Sequence, residues 1–113
     1  MIGIFLDDER NPEDVFWIDY PEITWSVVRT KAEFDELVQL MNVLGQEYVV
    51  SFDHDIQEIH NGVEITGYDC LISLVDFCLD TGAKLPVSFF HTQNPVGKQN
   101  MQSYYENAKK HLG

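Results

Sequence analysis

Two places in the chain gather side chains that could do chemistry. The stretch SFDHDIQ, Ser51 to Gln57, sets His54 between Asp53 and Asp55, directly after an apolar run. Near the start, Asp7 and Asp8 follow a second apolar run, IGIFL. Carboxylates such as Asp7, Asp8 and Asp53 are the oxygen ligands that a hard divalent cation takes, Mg2+ or Mn2+. Phospho-acceptor residues, or plain polar caps where strands end, are the competing readings. Asp55 shares a face with Asp53 only if the strand continues past it. His54 and His91 each follow an apolar run. Each is either a structural hydrogen-bonder or a general acid or base for the carboxylate cluster.

A third group of residues suits an anion. In HTQNPVGKQN, Asn94-Pro95 is a favoured helix start. A helix start presents unpaired N–H groups and the positive end of the helix dipole. Gly97 lets backbone approach a phosphate, Lys98 adds charge, and Thr92, Asn94 and Asn100 are polar residues of the same run. Ordinary capping by Asn94 is compatible with all of this. Arg10 and Arg29 follow apolar runs too, and only Lys31 joins them as a cation before position 84. Either they clamp an anion or they pair with the surplus carboxylates.

The elements that must position these residues are short. Four runs read as strands: Ile2–Leu6, Thr24–Val28, Tyr48–Phe52 and Pro86–Phe90. Three of them lack clean polar alternation, as strands buried on both faces do. A helix begins at Thr30, with Glu33 as its capping-box partner and Gly45 past its end. Another begins near Thr66, with Asp69 as partner and Gly82 at its end. A third follows Asn94-Pro95. Strands alternating with helices imply a parallel sheet with right-handed crossovers. The segment NPEDVFWIDYPEI has two prolines and no long apolar stripe, so it predicts a loop with at most one short helix. Asn61-Gly62, flanked by Ile59 and Val63, predicts a small hairpin or flap beside SFDHD. In a parallel sheet, ligands bind at the carboxyl ends of the strands. All four strands end there in acids, bases or hydrogen-bond donors.

Composition narrows the function. The chain has 113 residues, 44% hydrophobic, which suits one globular domain. With 7 Lys+Arg against 19 Asp+Glu, the formal net charge is −12. That charge disfavours binding to a nucleic-acid duplex, but admits a small phosphorylated ligand neutralised by a cation. It also suits a surface that contacts a basic partner. No apolar run reaches the roughly 18 residues of a membrane span. The start MIGIFLDDER is too short and acidic for a signal peptide. Cys70 and Cys78 fall eight residues apart on one helical pattern, about 12 Å, which is too far for a disulfide. The expectation is a reduced, cytoplasmic protein.

The ordered set IFLDDERNP, WSVVRT, SFDHD, TGYD and LPVSFFHTQNPVGKQNM resembles the cyclic-phosphate processing receiver domain family over nearly the whole chain. The resemblance implies a flavodoxin-like, three-layer α/β fold related to response-regulator receivers. It also implies a role in hydrolysing or binding cyclic phosphates on nucleotide-derived molecules. By motif position it points to Asp7, Asp8, Arg10, Asn11, Arg29, Asp53, His54, Asp55, His91, Asn94, Gly97 and Asn100. Thr92 stands where the family often has Ser. Ile56-Gln57 stands where Leu and Gly usually follow the DHD, and here leads into the longer flap. A receiver's fifth strand, which ends in a Lys, has no counterpart, which argues against phosphorelay signalling through Asp53. That absence leaves a sheet edge that a second copy could cover. The expected function is a metal-assisted phosphoesterase. The alternative is a binding module that sequesters a phosphorylated nucleotide signal.

Overall fold

The computed structural model describes residues 1–112. Four parallel strands form the sheet in the order β2-β1-β3-β6. They are β1 (Ile2–Leu6), β2 (Thr24–Val28), β3 (Tyr48–Phe52) and β6 (Ser88–Phe90). The last is shorter than the apolar run suggested, because Pro86 has no N–H to give a ladder. The hairpin is present as β4 (Glu58–His60) and β5 (Val63–Ile65). Asn61 (φ 53°) and Gly62 (φ 76°) make its turn, with both central residues left-handed as such turns require.

The three helices are α1 (Lys31–Val43), α2 (Gly67–Thr81) and α3 (Pro95–Leu112). Thr30 caps α1 by accepting the Glu33 N–H, but the expected capping box does not close, because Glu33 Oε1 accepts the Arg29 N–H instead. Thr66 and Asp69 form a capping box on α2, and Gly82 closes it at φ 75°. α1 packs on α2 and α2 on α3, so the helices form one layer. They bury Phe34, Val38, Leu71, Leu74, Cys78, Met101 and Tyr105 against Ile4, Leu6, Val50, Phe52 and Phe90 of the sheet. Cys70 and Cys78 are both buried and free.

The odd-numbered strand residues face the other way. Phe5, Ser51 and Phe89 meet the irregular segment after β1, which supplies the third layer. Tyr20 packs edge-on against Trp25 and Phe89, and Phe5 packs edge-on against Trp25. Gly3 is required beneath Trp25: a Cβ there would come within 2.5 Å of the indole. The segment itself holds one short 3-10 helix, Pro12–Asp14. The described residues contain no fifth strand in the sheet and no helix long and apolar enough to cross a membrane.

Candidate active site at the carboxyl ends of the strands

Strand register brings the first group together. Leu6 pairs with Phe52, and Phe52 with Phe90. The ladder runs one residue further, with Asp53 N–H donating to Leu6 O (2.9 Å) and His91 N–H to Phe52 O (3.0 Å). Asp7, Asp53 and His91 are therefore adjacent on three neighbouring strands, and all three are buried. One ligand atom from each lies within 4.8 Å of the others, a spacing that could hold a metal ion. Period-two alternation aims them to the same side as Phe5, Ser51 and Phe89.

Asp7 is held from several directions. Its Oδ1 accepts the Glu9 and Arg10 N–H groups at 2.9 and 2.8 Å, and its Oδ2 lies 2.9 Å from His91 Nε2. Burial alone would raise its pKa, but these donors together with the His91 charge hold it down at about 2. Asp53 goes the other way. Burial and then repulsion by Asp7 raise its pKa, against smaller pulls from His91, the His54 N–H and Thr92. Asp8 is raised too, first by burial and then by Asp7 and Glu9, although its own N–H and Arg10 pull it down. An ionised Asp7 that repels both Asp8 and Asp53, leaving those two reluctant to ionise, makes a donor set that a hard cation relieves.

His91 is part of a buried chain of hydrogen bonds. The Asp7 carboxylate accepts from His91 Nε2–H, and His91 Nδ1 lies 2.7 Å from Ser51 Oγ. Ser51 Oγ in turn lies 2.5 Å from Tyr20 Oη. The ring stacks on Phe5, centroids 4.3 Å apart, and Trp17 Nε1 donates to its backbone oxygen at 2.9 Å. His91 is 0% exposed, so it braces Asp7 from behind. Every buried side-chain polar atom among the described residues has a partner.

In front of this wall opens a cleft of about 440 Å³, lined by Asp7, Asp8, Glu9, Arg10, Asp53, Asp55, Gln57, Thr92, Gln93, Asn94 and Pro95. A second, apolar hollow of about 310 Å³ lies at the opposite ends of the strands, against Met41, Tyr48, Phe77 and Leu85. It holds none of the candidate site residues.

The other residues sort by geometry. Arg10 lines the cleft. It stacks over Trp17 at 5.4 Å, donates to Gln93 Oε1 at 3.2 Å and lies 3.6 Å from Asp7. Arg29 turns inward: its guanidinium donates to Asp7 O, Arg10 O and Asn11 Oδ1 at 3.1, 2.7 and 2.7 Å, fixing the loop after β1. Asp55 is the link between β3 and α3. It accepts from Asn94 Nδ2 at 3.1 Å and lies 2.9 Å from His54 Nδ1, and hydrogen bonds to His54 pull its pKa down against burial. The His54 ring lies against Gly97, where a Cβ would come within 2.5 Å of it. Gly97 thus admits an imidazole, and its N–H goes to Asn94 Oδ1 at 3.1 Å. His54, Gly97, Lys98 and Asn100 lie outside the cleft lining.

Tyr20, Ser51, Trp17 and Gly67 were missed by the sequence reading. Ser51 stood in the motif with the right parity to face His91. Tyr20 and Trp17 lie in the segment without periodicity, where nothing predicts contact with His91. Gly67 gave the one further hint, a glycine opening a helix. Its N–H donates to His54 O at 2.7 Å, and a Cβ there would overlap the Asp53 carbonyl oxygen.

A family model described as the cyclic-phosphate processing receiver domain matches residues 2–107. No curated protein and no solved structure matches the chain. The match spans all four sheet strands and the whole cleft, and the parallel order β2-β1-β3-β6 is that of a receiver-like α/β fold. The chain belongs to the cyclic-phosphate processing receiver domain family.

Proposed function

We propose that the cleft binds Mg2+ or Mn2+ and hydrolyses the cyclic phosphate of a small nucleotide-derived ligand. The observation that carries this is electrostatic. Asp7, Asp8, Glu9, Asp53 and Asp55 line one cleft with a single cation, Arg10. An anionic ligand enters such a site only with a metal cation beside it. Asp7, Asp8 and Asp53 are the residues that would hold it. When bound, the cation polarises a phosphoryl oxygen and offsets developing charge. Arg10 orients the phosphate. Asp55 takes a proton from the attacking water, with His54 hydrogen-bonded behind it. One P–O bond to the water oxygen forms, the ring P–O bond breaks, and the freed sugar oxygen takes up a proton from solvent while Asp55 returns to solvent the one it removed.

A second reading is favoured by one observation: neither imidazole lines the cleft. A site without an exposed imidazole could sequester the same ligand uncleaved. Incubation with Mg2+ or Mn2+ and a panel of cyclic phosphates separates the two. Catalysis yields a monoester, whereas sequestration gives tight calorimetric binding and an unchanged ligand. A panel neither bound nor cleaved contradicts both.

A further inference from the structure

The cleft has room for more than a phosphate. Its volume of about 440 Å³ falls among small-molecule sites, roughly 300–1,000 Å³. Gln57 lines it and has an unusual backbone, φ 52°. Side-chain-bearing residues avoid this region because Cβ crowds the following carbonyl. Asn61, the other such residue, is accounted for by the hairpin turn it makes with Gly62. Gln57 lies outside that turn. Its neighbours are pinned instead. Ile56 is 3% exposed in the core, and Glu58 Oε1 accepts the Lys31 N–H at 2.9 Å.

Glycine would occupy this position without strain. The chain instead carries a long carboxamide directed into the cleft. Its Nε2 lies 3.4 Å from Glu9 Oε1, a long bond that a ligand group can displace. A carboxamide offers a donor and an acceptor without charge. That chemistry fits a neutral hydroxyl or ring-amide group better than a phosphate.

We infer that Gln57 is a specificity residue that hydrogen-bonds the neutral, non-phosphate part of the ligand. This rests on the cyclic-phosphate reading of the cleft. The test uses calorimetry with Mg2+, over a period in which chromatography shows the probes intact. One probe is a nucleoside 2′,3′-cyclic phosphate; the other is ethylene cyclic phosphate, which lacks any further hydroxyl or base. The protein is expected to prefer the nucleoside probe about tenfold or more, a difference typical of one good hydrogen bond. Gln57→Gly should abolish that preference, leave the ethylene probe unaffected, and melt at the same or a higher temperature. A Gly variant that keeps the preference overturns the role of Gln57 alone, and so does a wild type without preference. A wild type that binds neither probe overturns the cyclic-phosphate reading and this inference with it.

Discussion

At Asp7 two opposing effects meet, and the hydrogen bonds win. The result is a permanent carboxylate with a pKa of about 2 inside the fold, against an ordinary 3.8. Its stabilising contribution is therefore complete above the unfolded value near 4 and is lost as pH falls through 2. The difference corresponds to about 2 kcal/mol. Urea unfolding of metal-free protein between pH 2 and 5 should show this loss, and Asp7→Asn should flatten that part of the profile. His91→Ala should cost about 3 kcal/mol, because it strands a buried carboxylate. Asp53 has the opposite sign: its raised pKa makes the charged form a burden on the metal-free fold at neutral pH. Asp53→Asn should accordingly raise the melting temperature without metal. In wild type, Mg2+ at a hundredfold its dissociation constant should add about 2.7 kcal/mol of stability. The Asn variant should lose most of that gain, as titration calorimetry and melting curves would report.

At the scale of elements, local chemistry and register did different work. Thr30, Thr66 with Asp69, Asn61-Gly62 and Gly82 each mark a boundary through a mechanism visible in sequence, and each stands where that mechanism puts it. β1, β2 and β3 match their apolar runs residue for residue. The site was legible only in part. That the strands end in Asp7, Asp53 and His91 is readable; that His91 lies behind Asp7, braced by Tyr20 through Ser51, is not. The contact with Tyr20 depends on how an aperiodic segment folds over the sheet, which no residue spacing encodes. Gly97, expected to let backbone approach a phosphate, has the His54 ring against it, since α3 starts against the loop after β3. Two variants at the start of α2 separate capping from close approach. Thr66→Ala should cost about 1 kcal/mol and leave Mg2+ binding intact. Gly67→Ala should cost about 3 kcal/mol and weaken Mg2+ binding, because the Asp53 backbone must move.

Over the whole molecule, charge and topology act together. The net charge of −12 is an excess of carboxylates, and several of them converge on the one edge where four strands end. Such self-repulsion is relieved by screening. The melting temperature without divalent metal should rise between low and moderate NaCl, and a flat response would mean that the carboxylates are already compensated. Three helices on one face and an irregular layer on the other leave the carboxyl edge open between the loops after β1, β3 and β6. The chain belongs to a family described by cyclic-phosphate processing, and the function proposed above places the ligand and a divalent metal at that edge. A 31P NMR time course with Mg2+ and a panel of nucleoside cyclic phosphates tests this most directly. The account predicts that a cyclic resonance is replaced by a monoester resonance, and that Asp53→Asn or chelation stops the conversion. Cyclic resonances that persist across the panel at high protein concentration would contradict it.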